Sequence, residues 1–521
     1  MFLAALKLLQ EWLVFPQSQS FSALVISSII LYAWLIYRRY RTLCHIPGPW
    51  LSKISGLPLV ILDLRYCRND RILEWHRKYG PVICITPNEV SVATLEGTKD
   101  IYGTTRQWPK SNYFDHFMGY NRRSVFATKP YKEHQAKRRL ISAFYQPSTI
   151  YKLPHIEQHV QERAQTVLRQ IQLQNNSEVD VYSLTDWYAL DVITYLVLGP
   201  DYCSRSLETD GPERKILAGL KQQQFVVSLR TRFPKAYNSI SLICSSLSSD
   251  LSYLSVDDEL ASWCKRRLSE AMDGSSLFDS YSLLRHLLEH ENVGTNAPLD
   301  QQYIAAEILD NINAAEATVA VTATYLIWRL TEAPWWQKQI RNELNALPVQ
   351  PDGSLAFAEL DRVPSLEACL REVYRLHPAS SGRAERIVPE GHVLSEVYLP
   401  RGTVVTTSVQ SLHRNEHIFP DPDRFNPGRW LDVDPITLKT REAYLIPFGY
   451  GARICLGKAL ATMEIKVLIS CLYLRYNTIL GKSMTSESMR QCSTHDAVPK
   501  GLKCAIQFQN IDENEHSQLS R

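Results

Sequence analysis

The chain has 521 residues, 45% of them hydrophobic and 21% charged, with a formal net charge of +3. That length supports one large core or two conventional domains. The near-neutral balance argues against a nucleic-acid partner, which needs basic residues clustered on one face. The 11 cysteines include no CxxC pair and no regular spacing. Neither a disulfide framework nor a zinc ribbon is indicated, and most read as small buried hydrophobes in a reducing compartment.

Residues 1–17 form a short, largely apolar N-terminal segment that could lie along a membrane surface. Residues 21–37 (FSALVISSIILYAWLIY) carry no charge, and Arg38, Arg39 and Arg41 follow at once. Seventeen apolar-leaning residues sit at the short end of what spans a bilayer, and the basic excess after them places the remainder in the cytosol. A cleaved secretory signal is the rival reading, but no small-residue cleavage site precedes the arginines. The expectation is a single transmembrane signal anchor over 18–40, then one domain over 41–521 with a polar tail after about 510.

Ile46-Pro47-Gly48-Pro49 forbids helix continuation and reads as an extended hinge. Residues 79–95 hold two β-rich runs split by Pro87-Asn88, hence a hairpin. Beyond about residue 130 apolar residues recur at three-to-four spacing over 155–174, 186–198, 256–272, 301–331, 334–346 and 365–376, predicting helices. The 301–331 stretch lacks Pro and Gly, and is apolar on nearly every face except for Asp310, Asn311, Asn313, Glu316 and Thr318. Polar groups inside a buried helix need partners or a wet cavity, so this helix is a candidate active-site wall. Residues 239–255 are serine-rich and read as a mobile loop or short surface helices.

The strongest local pattern is residues 447–458, PFGYGARICLGK. Its glycines allow a tight turn that a flat group can approach. A helix-forming run follows Cys455, so dipole and free amides would favour its thiolate, with Arg453 adding to the effect. Such a thiolate is either a nucleophile or a metal ligand.

Phe448, Gly451, Arg453, Cys455 and Gly457 resemble the haem-binding loop FxxGxRxCxG of the cytochrome P450 family. Glu372-Val-Tyr-Arg375 is similar to that family's ExxR helix, and Pro422-Asp-Arg424-Phe425 to its PxRF segment, in the family's order. The wording of HRNEHIFPDPDRFNPGRW and KDIYG is similar to the fungal microsomal branch. The resemblance implies a mainly α fold with a small β-rich lobe, and haem b ligated axially by Cys455. It implies a monooxygenase that inserts one oxygen atom of O2 into a lipophilic substrate, in fungal terpenoid or polyketide biosynthesis by analogy. Electrons would come from NADPH through a flavoprotein reductase, with cytochrome b5 as a second donor, at the endoplasmic reticulum membrane. Arg138, Arg386 and Arg453 are implied as partners of the haem propionates, and Glu372, Arg375 and Arg424 as a structural lock behind the loop. His134 departs from the family, which has Trp there.

The distal helix also departs. The family reads Ala/Gly-Gly-x-Asp/Glu-Thr, whereas this chain has Asn313-Ala-Ala-Glu316-Ala317-Thr318. Either Glu316 takes the acid position and Ala317 the threonine position, or Thr318 is the threonine and Ala317 replaces the acid; spacing to Pro334 favours the second register. Thr318 is then expected to bond dioxygen or its water, with Glu316 or water completing proton delivery. Substrate contacts are expected from Phe114 and Phe117, beside Tyr113, and from Ser380 and Ser381. A haem-thiolate isomerase or dehydratase needing no reductase is the rival enzyme class, and a non-catalytic haem protein a further one.

Overall fold

The computed structural model describes residues 19–511 except 176, 275–280, 292–296 and 381–382. The expected surface-lying segment, the polar tail after residue 511 and Ser381 therefore lie outside the described residues. Helix α1 (Gln19–Leu43) covers the expected anchor. No described helix is long and apolar enough to cross a membrane, so the transmembrane span is not borne out. The uncharged run of seventeen residues includes Ser22, Ser27 and Ser28, and at about 1.5 Å per residue it falls short of a hydrocarbon core of about 30 Å.

After the Pro47–Pro49 hinge come α2 (Leu57–Leu64) and α3 (Arg68–Tyr79). The predicted hairpin forms as β1 (Val82–Thr86) and β2 (Glu89–Val92), paired antiparallel with Val82 opposite Val92. Helices α4 (Tyr131–Ser142) and α5 (Pro154–Leu173) follow, then the short strand β3 (Glu178–Asp180). Next are α6 (Val181–Leu198), α7 (Pro212–Gln223) and α8 (Val227–Arg232). The serine-rich 239–255 stretch lies within a helix, Pro234–Leu247, and a 3-10 segment, Ser249–Ser255, matching the short-helix alternative.

The long helix is α9 (Gln301–Glu332), 32 residues and about 48 Å of rise. Asp300 caps its start by accepting from Gln302 N at 3.2 Å, and Pro334 opens the next helix, α10 (Pro334–Asn345). It packs most extensively along α6 and runs through the main core, which also takes in α5 and the later helices. The ExxR residues lie on α11 (Pro364–Leu376). The remaining strands are β4 (Arg386–Ile387), β5 (His392–Leu394), β6 (Val397–Leu399), β7 (Val404–Thr407), β8 (Tyr476–Leu480) and β9 (Ala505–Asn510). They form sheets of order β1-β2-β7-β4, β3-β9-β8 and β5-β6. Helix α12 (Lys458–Arg475) is buried along most of its length beside α5 and α10.

The first sheet explains the β-rich lobe. All nine residues of β1 and β2 are buried, and Val82, Cys84, Val90, Val92 and Val405 share one apolar cluster with Leu43 and Ile46. The hinge is stitched to this lobe because Cys84 N donates to Pro47 O at 2.8 Å. A side chain at Gly48 would put its Cβ 2.5 Å from Cys84 O, so only glycine permits that approach.

Candidate active site

The 447–458 loop is built around two left-handed glycines, Gly449 (φ 77°) and Gly451 (φ 71°). A Cβ on Gly451 would stand 2.1 Å from Tyr102 O, so the loop docks on that segment through glycine alone. The turn closes where Cys455 N donates to Phe448 O at 2.9 Å. Gly457 then caps α12, with the Cys455 Sγ 3.9 Å from where a Cβ would sit, an ordinary contact distance. Cys455 lines a cavity of about 640 Å3 with Phe448, Arg138, Tyr145 and Tyr374. Burial pushes its thiol pKa up, against the opposing pull of the Gly457 and Lys458 amides and the charges of Arg138 and Lys458. The helix-end stabilisation expected from sequence is thus present, but without a metal desolvation outweighs it. A metal cation at Sγ would reverse that balance.

Arg453 donates to Thr128 O and Lys129 O, both at 2.8 Å, which fixes its guanidinium against the loop before α4. Arg386 starts β4, donates to Ala384 O and Glu385 O, and lies 4.9 Å from the Tyr102 ring centre. A backbone bridge between Lys110 and Arg386 adds a cation that sequence reading missed. The Lys110 ammonium donates to Phe126 O and sits 4.1 Å from the Phe114 ring centre. Burial, then the charges of Arg386 and Arg453, hold Lys110 well below the usual lysine range. Burial followed by Arg386 lowers Arg453 to about 9, and burial lowers Arg386 to about 10. His134, where the family has Trp, is buried on α4 and held to about 2 by burial and by Arg453, Lys110 and Arg138.

Lys110, Arg138, Arg386 and Arg453 thus repel one another in a poorly solvated place. Among the described residues the carboxylate acting on Lys110 is Asp310 of α9, itself pushed up to about 6 by burial and therefore a weakened counter-ion. Buried charges are tolerated when paired. A cluster of like charges with one hesitant partner is a site for a multiply charged anion, and the two propionates of a haem fit it.

Behind the loop, Glu372 and Arg375 are fully buried on α11 and meet through Oε2–Nε at 2.9 Å and Oε1–Nη2 at 2.7 Å. The third partner differs from expectation. Arg424 is exposed and contributes only its carbonyl, which accepts from Arg375 Nη2 at 3.2 Å. The second guanidinium on Glu372 is that of Arg429, with Nε 3.1 Å from Oε1, and Trp430 Nε1 donates to Oε2 at 3.0 Å. A turn at Asp421 (φ 48°), closed by Arg424 N donating to Asp421 O at 3.1 Å, precedes the Pro427–Trp430 turn, which packs over α11. Arg429 and Trp430 stood inside the FNPGRW motif, so the residue types were in view and only their direction was not.

On α9, the Thr318 hydroxyl donates to Ala314 O at 2.8 Å. Glu316 is buried, and burial followed by Asp186 and Asp496 pushes its carboxyl well above the usual range, with Lys221 opposing. Those neighbours belong to α6, α7 and the loop before β9. Two helical residues turn about 200°, so Glu316 and Thr318 point to nearly opposite sides of α9. Glu316 thus lies on the side of α9 that meets Asp186 of α6, away from Thr318.

Phe114 is buried, its ring 5.6 Å from Tyr113 and 5.4 Å from Phe126. Phe117 meets Phe126 edge-on at 5.1 Å and lies tilted against His495 at 4.8 Å, the latter a neighbour not foreseen because it comes from a distant chain segment. Ser380 is exposed.

Comparison with known proteins agrees with this geometry. The family model for Cytochrome P450 matches residues 55–496. The chain is 36% identical over 505 residues to the Cytochrome P450 monooxygenase FGM1 of Gibberella zeae, covering 95% of this chain and 99% of that relative. It is 28% identical to the Cytochrome P450 monooxygenase pkfB of Emericella nidulans, over 88% of this chain and 91% of that one. Identity to the Tryprostatin B 6-hydroxylase of Neosartorya fischeri is 27%, over 84% and 78% respectively. A thiol presented on a glycine turn, an anion site beside it and a carboxylate lock beneath it recur in one enzyme family: the chain belongs to the cytochrome P450 family of haem-thiolate monooxygenases.

Proposed function

We propose that Cys455 would ligate the haem iron through its sulfur, that Lys110, Arg138, Arg386 and Arg453 would hold the propionates, and that the substrate is a lipophilic secondary metabolite. The observation that carries the assignment is the buried cation cluster beside the Cys455 loop, where Asp310 is the one carboxylate acting on Lys110 among the described residues. When bound, the haem supplies activation of O2 with two electrons and two protons. The protein's share is placement. The Gly457 and Lys458 amides support charge on Sγ, Phe448 packs edge-on to Tyr374 at 5.1 Å, and the Glu372 lock keeps the loop from shifting. Thr318, anchored on Ala314 O, is positioned to hold a proton at its Oγ for transfer. Glu316 is assigned no part in that transfer.

Electrons are proposed to come from an NADPH-dependent flavoprotein reductase, with cytochrome b5 as a second donor. Helix α1 is proposed to anchor the chain at the endoplasmic reticulum with the domain in the cytosol. In support, it exposes Ile26, Ile29, Ile30, Leu31 and Trp34 ahead of Arg38 and Arg41. Leu57, Ile61 and Leu64 of α2 are exposed too, as are Phe233 and Ile240 just after α8, and Arg232 pairs with Asp63 to hold α2 and α8 side by side. Exposed apolar surface of this extent marks an interaction or membrane face. The decisive experiment is Cys455→Ser in the reductase-reconstituted enzyme. Loss of the thiolate-type carbon monoxide spectrum together with NADPH-dependent turnover is expected, and a variant that keeps the spectrum refutes the ligand assignment.

A further inference from the structure

A second, smaller cavity lies away from Cys455. Its wall comes from distant parts of the chain: Asp63 on α2, Tyr113, Gln224 after α7, Ser228 on α8, Arg383 after α11, and His495 before β9. It measures about 30 Å3. One water needs roughly 10–15 Å3 of such space, so the cavity admits one or two waters or a single carbonyl group.

Two polar atoms on this wall are buried with no hydrogen-bond partner, Arg383 Nε and Ser228 Oγ. The Glu385 carboxylate stands 3.7 Å from Arg383 Nε, beyond hydrogen-bond reach. A guanidinium N–H can only donate, and a buried donor left unmade is costly, so the wall calls for an acceptor. The surrounding charge decides which kind. Arg68, Arg232 and Arg383 are matched by Asp63, Glu89 and Glu385. Asp63 accepts from Arg232 Nε at 2.9 Å, Glu89 from Arg68 Nη2 at 3.0 Å, and Glu385 from the Ser111 hydroxyl at 2.5 Å. A carboxylate entering beside Asp63 would be unbalanced, whereas a neutral acceptor adds no charge.

The cavity is also well placed. Arg383 precedes Arg386 of the cation cluster by three residues, at most about 10 Å of chain. A row of rings, Tyr113, Phe117 and Phe126, runs from Arg383, 4.9 Å from the Tyr113 ring centre, to Lys110 of the cluster, 4.5 Å from the Phe126 ring centre, with Tyr113 Oη 3.1 Å from His495 Nδ1.

We propose that this cavity anchors the substrate: Arg383 Nε and the Ser228 hydroxyl donate to a neutral carbonyl oxygen of a ketone, lactone or lactam, while the apolar remainder lies along Phe117 and Phe126. This rests on the haem-monooxygenase reading of the Cys455 site and names the substrate class that site accepts.

The test is a substrate-induced spin-state titration of the holoenzyme with two probes. Nootkatone is a sesquiterpene ketone, and valencene is the hydrocarbon of the same skeleton without the carbonyl. The wild type should bind the ketone about tenfold more tightly, the worth of one good hydrogen bond. Arg383→Met should bring the two within about twofold, and Ser228→Ala should weaken the ketone about threefold while leaving the hydrocarbon unmoved. A wild type that binds both probes equally, or neither, overturns the anchor, as does an undiminished preference in Arg383→Met. Should Arg383→Met fail to fold with haem, Ser228→Ala decides alone, and unchanged ketone affinity there overturns the proposal. A wild type lacking the thiolate-type carbon monoxide spectrum refutes the Cys455 reading and the anchor with it. An intact spectrum without ketone preference refutes the anchor only.

Discussion

Replacing Glu372 by alanine should cost most of the lock and much of the haem. Its carboxylate accepts five hydrogen bonds: two from Arg375, and one each from Asn426 N at 3.0 Å, Arg429 Nε and Trp430 Nε1. Arg375 in turn spends its other donors on the carbonyls of His413, Pro422 and Arg424, so neither partner has slack. Truncation leaves two guanidinium groups in the core with no carboxylate between them. Breaking a buried pair in this way costs about 3–5 kcal/mol, a large share of the 5–15 kcal/mol typical of a folded protein. Arg429→Ala removes the donor to Glu372 and those to Pro420 O and Asp421 O, but leaves the Glu372–Arg375 pair intact, and should cost about 1–3 kcal/mol. Arg424→Ala removes an exposed side chain and should stay within about 0.5 kcal/mol, because its contribution to Arg375 is a backbone carbonyl. Thermal midpoint and haem per chain, measured across the three variants, should rank Glu372→Ala below Arg429→Ala below Arg424→Ala. If Arg424→Ala is as damaging as Arg429→Ala, the reassignment of the lock is wrong. A Glu372→Ala enzyme with full haem and an unmoved midpoint would refute the lock altogether.

Lys110→Met should speed haem loss to an acceptor such as apomyoglobin by about tenfold, one charge-assisted bond's worth, while leaving the haem-free chain no less stable. A loss rate equal to wild type would remove Lys110 from the propionate site. Gly451→Ala combines a positive φ with a clash on Tyr102 O, so haem content should fall along with a destabilisation of about 2 kcal/mol or more; full haem content contradicts the docking described for the loop. Burial followed by Asp310 pushes Glu307 on α9 up to about 8. The folded chain then keeps a proton that the unfolded chain releases above 4.5, so stability present below that value is lost as pH rises toward 8, by at most about 1.4 kcal/mol per pH unit. Glu307→Gln can still accept from Val125 N and should flatten midpoint against pH over that window relative to wild type; an unchanged slope would refute the assignment.

Local pattern was enough wherever the physics was local. Apolar spacing and the absence of Gly and Pro gave α9 to within a residue, Pro87-Asn88 gave the hairpin, and the glycine spacing around Cys455 gave a turn ahead of a helix. The pairing of Glu372 with Arg375 followed from their i,i+3 positions on one helix. What depended on how distant segments meet could not be read this way. Lys110 joins the cation cluster because a strand-like bridge sets it beside Arg386, and Arg429 takes the place expected of Arg424 because the Pro427–Trp430 turn packs over α11. The side of α9 that Glu316 occupies meets α6, which packs along it, and the Arg383 cavity needs α2, α8 and the loop before β9 to close around it. The sequence by itself determined the helices, the hairpin and the glycine turn ahead of α12, since periodicity and turn chemistry act over a few residues, and its resemblance to the cytochrome P450 family implied the fold class and the thiolate role of Cys455. Only the tertiary structure decided which charges face one another, because a charge's partner is set by what packs on the far side of it.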